Sequence, residues 1–402
     1  MIKEISEKGV TLIVLVITII ILIILAGISM AMLVGNDGII TQAQRAKENT
    51  EKAIEEEEKS LNDLSNMIAL EGNSSITDKT IEQMKIEGIY VSGNTQIKDS
   101  KGNKVMIPDG FKIATDSGIN VSEGIVIEDK DISIDGNGEN RGNQFVWVPV
   151  GNIIKADGTQ TTITLGRYTF TEDGTETLVQ DAKDYALETV LETYYKELVI
   201  ARISNGSPGT NGTNTTAKDL KRFIDSVATN NGYYMARYEA SYKDGIKPES
   251  KVSSIATDSS TQVKGKIWNY ITQPKAAEAS RAMYSNVNFE TDLINSYAWD
   301  TTVSYIQKCS GDIDYAKQKS LNTTIANTGM IGDEVCKIND MASNMREWST
   351  EYSTSVNSTN AYPCGDKGGQ YYSGLEPCTS YRHSGKADDV RAYFSFRTVL
   401  YL

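Results

Sequence analysis

From Val10 to Leu33 the chain runs 24 residues without a charge, most of them Val, Ile, Leu, Ala or Met. At 1.5 Å per residue a helix of that length covers the roughly 30 Å hydrocarbon core of a bilayer. A soluble domain has no use for a helix this long that is apolar all round. Residues 10–34 therefore predict a transmembrane helix. A cleaved secretory signal is the rival reading, but it would have a shorter apolar stretch and a small-residue cleavage site at its end. Lys3 and Lys8 on one flank, against Arg45 and Lys47 beyond the other, weakly favour the N-terminus inside. The expectation is a single-pass membrane protein with its C-terminal part extracellular.

After Gly35 the pattern turns helical. Asp37 can cap a helix, and Ile40, Ala43, Ala46, Ala53, Ile54, Leu61, Leu64 and Ile68 recur mostly at three- and four-residue steps. The run Glu55–Glu58 belongs to a solvated face, and residues 35–70 read as a helical stalk. Residues 71–104 are polar and read as a linker. From Val105 the chain changes to short strands separated by turn residues, with Phe145–Val150 an apolar strand and Trp147 in the core. Residues 156–230 look like an insertion, with helices expected over Leu178–Ile203 and Lys218–Ala228. Gly232–Tyr242 reads as a strand that carries Arg237 and Glu239 on one face. Ala276–Tyr284 and Leu293–Ile306 read as helices, the second burying Trp299, Val303 and Ile306.

Charge and rare residues exclude several functions. A formal charge of -13 repels nucleic-acid phosphates. His383 is the single histidine, so neither a Ser-His-Asp triad nor a His-rich zinc site can be drawn. Cys309, Cys336, Cys364 and Cys378 have no CxxC spacing, which argues against a zinc ribbon. For an extracellular domain a Cys364–Cys378 disulfide, closing a Gly-rich loop, stands beside the alternative of free buried thiols.

Two stretches carry the chemistry. Ile338–Trp348 places Asn339, Asp340, Asn344 and Glu347 within nine positions and ends on Trp348. Such side chains either satisfy backbone groups of an irregular loop or hold a hard cation such as calcium. Trp348 would be the buried anchor, its N–H needing a partner. The second stretch, Cys364–Leu402, is rich in Tyr, Ser and Gly, the composition of recognition loops.

Ile338–Trp348 also resembles the DMxGNxxEW loop of the formylglycine-generating-enzyme (sulfatase-modifying-factor) superfamily, with Ser343 in place of glycine. Asn143–Val150, Gly232–Ser241, the Trp299 helix and Ser395–Tyr401 follow in that family's order. The resemblance covers about residues 105–402 and implies an α+β, C-type-lectin-like domain. It implies that Asn344 and Glu347 contribute to a structural calcium site, that Glu239 is a core-edge residue, and that Arg397 pairs with a buried carboxylate. Formylglycine formation in those enzymes needs two closely spaced cysteines before the last strand. Here Cys378 has no such neighbour, since Cys364 lies 14 residues earlier. The iron-dependent branch of the fold needs several histidines. An oxidase-type sulfatase-maturing enzyme is therefore the disfavoured alternative to a binding protein.

The start of the chain resembles a type IV pilin-like leader, cut between Gly9 and Val10, although Val14 stands where that family has glutamate. Residues 1–9 would be the leader, pilin-like subunits would be partners, and the domain would sit on a cell-surface pilus; a plain membrane anchor is the alternative. Some proteins with this lectin-like fold are diversified by retroelements on a C-terminal face. The positions that resemble that face are Tyr371, Tyr372, Ser373, Tyr381, His383, Ser384, Asp388, Asp389, Arg391 and Tyr393, with a protein or glycan as the ligand and no nucleic acid.

Overall fold

The computed structural model describes residues 15–25, 47, 49, 50, 53, 76, 78–199, 216–255, 261–285, 288–356, 362–371 and 378–402. The chain divides into two compact units, Met1–Ile68 and Ala69–Leu402. In the first, residues 15–25 are helical, as are 47, 49, 50 and 53. The apolar side chains from Leu15 to Leu25 are about half exposed. Among the described residues no helix is long and apolar enough to cross a membrane. The rest of the expected span 10–34, the leader with Gly9 and Val10, and most of the stalk lie outside the described residues.

The second unit is α+β and mostly sheet. Its main helices are α1 (Ile81–Glu87), α2 (Leu220–Asn230), α3 (Gln273–Ala282) and α4 (Ser296–Ser310). Its principal strands are β1 (Phe111–Ile113), β2 (Ile125–Asp129), β3 (Gln144–Pro149), β4 (Tyr195–Lys196), β5 (Gly232–Ala236), β6 (Glu290–Leu293), β7 (Arg346–Ser353), β8 (Cys364–Lys367), β9 (Arg382–Gly385), β10 (Phe394–Phe396) and β11 (Thr398–Tyr401). An antiparallel six-stranded sheet runs β6-β11-β5-β3-β2-β1. The β3 strand is buried along its whole length, as its unbroken apolar run requires of a central strand. Across the pairing, Tyr234 of β5 sits opposite Trp147 of β3 and Leu400 of β11.

The second sheet is built on β7. It pairs antiparallel with β4 and β8 and parallel with β10, and β9 pairs with β8. Asn295 caps α4 by accepting from Ala298 N–H, and Gly311 ends the helix at φ 83°, where a side chain would be strained. Trp299, Val303 and Ile306 are all fully buried, as their spacing predicts. Phe223 of α2 packs edge-on against Tyr233 and Tyr401, each with ring centres 5.5 Å away.

Two expectations change. No helix forms across 178–199. That stretch holds a strand (Glu176–Asp181) paired to Gly166–Phe170, a short 3-10 turn (Ala182–Leu187) and β4. Leu178 and Val179 are partly exposed, and Glu188, Glu192 and Thr193 take positive φ, which a right-handed helix cannot hold. The 71–104 region is also more than a linker. Ile81 and Met84 of α1, with Ile97 and Val105 of a hairpin, join the main core.

Candidate ligand-binding face

The Ile338–Trp348 loop is held by its own side chains. Asp340 and Asn344 sit at φ 64° and 63°, a conformation that short polar side chains tolerate. Asp340 Oδ2 accepts from Gly329 N–H at 2.6 Å, Asn344 Oδ1 from Ala326 N–H at 3.1 Å, and Ser343 Oγ from Leu321 N–H at 3.0 Å. Trp348 is fully buried and donates its ring N–H to Ile271 O at 2.9 Å. The loop-satisfying reading therefore describes the polar groups.

Behind the loop lies a buried ionic centre. Arg397 donates through Nε to both Glu347 oxygens (3.2 and 3.0 Å) and through Nη2 to Oε1 (2.6 Å). Its remaining donors reach the carbonyls of Ala236, Arg237 and Asn339. This is the buried-carboxylate partner expected for Arg397. Glu239, fully buried, accepts from Asn344 Nδ2 at 2.6 Å and Met345 N–H at 2.9 Å. The β5 strand stops at Ala236, and Arg237 serves a different network: it donates to Asp116 (2.6 Å), Gln144 (2.8 Å) and Glu334 (2.9 Å).

Glu239, Asp340 and Glu347 thus share one guanidinium. Burial, then the charges of Asp340 and Glu347, push the Glu239 carboxyl well above its usual range. Burial pushes Asp340 up to about 7, with Asp333 and Glu347 adding to the shift. Burial also raises Glu347, and Arg397 offsets only part of it. For the calcium expectation at Asn344 and Glu347, both Glu347 oxygens are taken by Arg397, and the Asn344 amide is shared between Glu239 and Ala326. Among the described residues no group of three or more His, Cys, Asp or Glu is arranged to hold a metal.

A second buried centre supports β7–β9. Glu351 accepts from Arg167 Nη2 (2.7 Å) and Arg382 Nε (3.2 Å to each oxygen) and pairs with Lys367 Nζ (2.7 Å). Asp300 on α4 pairs with Arg382 Nη2 and accepts from Tyr168 N–H at 3.0 Å. All five charged side chains are essentially inaccessible. Burial alone would raise Glu351; the charges of Lys367, Arg382 and Arg167 outweigh it and hold the carboxyl well below the usual range.

The residues expected on a recognition face lie over this support. Arg382 points inward from β9, and its neighbours Tyr381 and His383 stack on each other with ring centres 6.5 Å apart, as alternation along a strand requires. Arg346 lies 5.2 Å above the Tyr381 ring. Asp366, fully buried, places Oδ2 3.0 Å from His383 Nδ1 and Oδ1 3.7 Å from Arg346. Arg346 N–H donates to Tyr393 O at 2.9 Å, and Tyr371 and Tyr393 pack around Met345 and Ile267. Tyr371, Tyr381, His383 and Tyr393 are therefore gathered around Arg346. Ser384 lies next to them on β9 and pairs with the Tyr195 hydroxyl.

Asp388, Asp389 and Arg391 lie on the following turn, where Asp389 accepts from Lys386 N–H at 2.8 Å. Tyr372 and Ser373 lie outside the described residues. Sequence reasoning missed Arg346, Asp366 and Tyr195. Arg346 was the findable one, since it begins the strand that Trp348 anchors.

The cysteines are free thiols. Cys364 is buried on β8 with its sulfur 3.8 Å from Gln273, and Cys378 has its sulfur 3.7 Å from Ser380 Oγ. The structure thus takes the free-thiol alternative over the Cys364–Cys378 disulfide. Burial pushes the Cys309 and Cys336 thiols up to about 12, the behaviour of inert core thiols.

The folded unit is thus an α+β domain in which two buried ionic centres brace an aromatic, arginine-centred face. No family model and no curated relative matches the sequence. Among solved structures, PvdO from Pseudomonas aeruginosa is 10% identical, covers 65% of this chain and 95% of its own, and has a TM-score of 0.32. The M1 and U1 variants of Major Tropism Determinant are 13% and 12% identical, with TM-scores of 0.29 and 0.28. Each covers 80% of this chain, and 97% and 98% of its own. Backbone overlap at these TM-scores is too small to define a shared fold.

Proposed function

We propose that this chain is a surface-displayed binding protein. Residues 10–34 tether it to a membrane or to a pilus-like filament, its C-terminal unit is a C-type-lectin-like domain outside the cell, and the face around Arg346 recognises a protein or glycan. The observation that carries this reading is the gathering of Tyr371, Tyr381, His383 and Tyr393 around one arginine. Half-buried aromatic rings offer large contact area with few torsions to freeze on binding, and arginine and tyrosine are the residue types that dominate binding energy. The braced strands below keep the rings in place, which reduces the ordering cost of association.

The test is whole-cell adhesion to target surfaces by cells displaying the full chain, compared with Tyr381→Ala and Tyr393→Ala at equal surface abundance. Adhesion lost in both variants supports the reading. Undiminished adhesion in the double variant overturns it. The intact mass of the chain recovered from its membrane tests the tether: loss of residues 1–9 favours the filament, and an uncut chain favours the plain anchor.

A further inference from the structure

Beside the face lies a cavity of about 440 Å³ bordered by Phe170, Glu192, Lys317, Lys319, Ser380 and Arg382. Tyr381, from the aromatic face, also lines it. Arg382 is at its inner end with a side chain only 1% exposed. Nε is committed to Glu351 and Nη2 to Asp300. Nη1 is the guanidinium nitrogen with no hydrogen bond among the described residues. Its nearest carboxylate is Glu192 at 3.7 Å, too far for one.

The charge balance points the same way. Arg167, Lys367 and Arg382 are buried against Asp300 and Glu351, three cations to two carboxylates. A buried excess positive charge is costly unless an anion approaches it. Glu192 supplies that anion incompletely: it is half exposed and sits with Thr193 in the left-handed region, at φ 49° and 71°. Lys319 is exposed at the mouth, and Lys317 has only the fully solvated Glu172 at 3.6 Å. The cavity is larger than one carboxylate fills and falls in the range that ring-sized ligands occupy, roughly 300–1,000 Å³. Its half-buried Phe170 and Tyr381 rings offer an apolar wall, and Ser380 and Glu192 offer partners for hydroxyl groups.

We propose that this cavity binds a sugar acid, a uronic-acid residue of an acidic glycan, whose carboxylate takes the place of Glu192 at Arg382 Nη1 while its ring lies against Tyr381. The inference deepens the binding reading above and rests on it for the outward placement of the domain.

The experiment is saturation-transfer NMR and calorimetry on the full chain in detergent, with galacturonate and glucuronate, methyl galactoside, acetate and glutamate as probes. A uronate is expected to bind while the neutral sugar and both simple acids do not. Lys319→Glu should weaken the uronate roughly tenfold, as a reversed rim charge does. Glu192→Gln should tighten it several-fold, because the competing carboxylate is gone. Both positions are exposed or half exposed, so neither variant disturbs the buried centres. Absence of uronate binding at 20 mM (an upper probe concentration of about that order, well above usual small-ligand affinities), equal binding of acetate or glutamate, or weaker binding in Glu192→Gln would each overturn the proposal. Uronate failure with tyrosine-dependent adhesion intact removes the cavity proposal alone; adhesion indifferent to the tyrosines removes the broader reading.

Discussion

Asp340 makes the stability of this domain depend on pH in a direction opposite to most carboxylates. Its side chain is fully buried, Oδ2 accepts from Gly329 N–H, and Oδ1 has no hydrogen-bond partner among the described residues. Burial raises its pKa from 3.8 to about 7. Between those values the folded state keeps a proton that the unfolded chain has released. The folded form then binds more protons, so stability falls as pH rises until the folded group ionises. One pKa unit corresponds to about 1.4 kcal/mol. Asp340 therefore removes roughly 2–3 kcal/mol between pH 5 and pH 8, most of it before pH 7.

Asp340→Asn keeps the acceptor for Gly329 and cannot ionise, so it deletes this dependence. Thermal and denaturant unfolding of the full chain in detergent should show the variant gaining on the wild type as pH rises. The gain from pH 5 to pH 8 should be roughly 2–3 kcal/mol, or about 5 °C in Tm for a domain of this size. The neighbouring Glu239 and Glu347 titrate in both proteins, so the difference between the two curves isolates Asp340. A difference that stays constant across pH 5–8 would refute the reasoning, because Asp340 would then share one protonation state in both forms.

Arg397→Met should destabilise the domain by roughly 3–5 kcal/mol, because it strands Glu347 inside the protein while its three carbonyl contacts are also lost; chemical denaturation measures it, and a loss under about 1 kcal/mol would mean the centre is wetter than its burial implies. Calcium at millimolar concentration after chelation should leave Tm unchanged at pH 6, since Arg397 occupies the Glu347 oxygens; a clear upward shift would instead assign an ion to this loop. Alkylation of the unfolded, unreduced chain should modify all four cysteines; a mass short by two alkyl groups would establish a disulfide.

Much of the domain was legible because its signals are local. The three- and four-residue spacing of Trp299, Val303 and Ile306 requires one helical face to be buried, and it is. The unbroken run from Phe145 to Val148 can be satisfied only by a strand covered on both sides. Alternation places Tyr381 and His383 together and Arg382 opposite, so part of the aromatic face could be drawn from neighbours in the chain. The failures share a cause. The Ala182–Tyr195 pattern fits helical spacing, yet the Gly166–Phe170 strand offers a pairing partner and positive-φ residues interrupt the turn. Tertiary pairing overrode propensity there.

The sequence by itself determined which side chains must leave water, which segments can only be strands or helices, and that residues 10–33 form an apolar run without charge, because each follows from composition and spacing along the chain. Only the tertiary structure decided which charges meet. Arg397 and Glu347 are 50 positions apart, Arg167 and Glu351 184, and Arg382 and Asp300 82. No periodicity encodes such pairs. They form because folding carries those side chains into one dry interior, where an unpaired charge is prohibitive and each must find a partner from a distant segment.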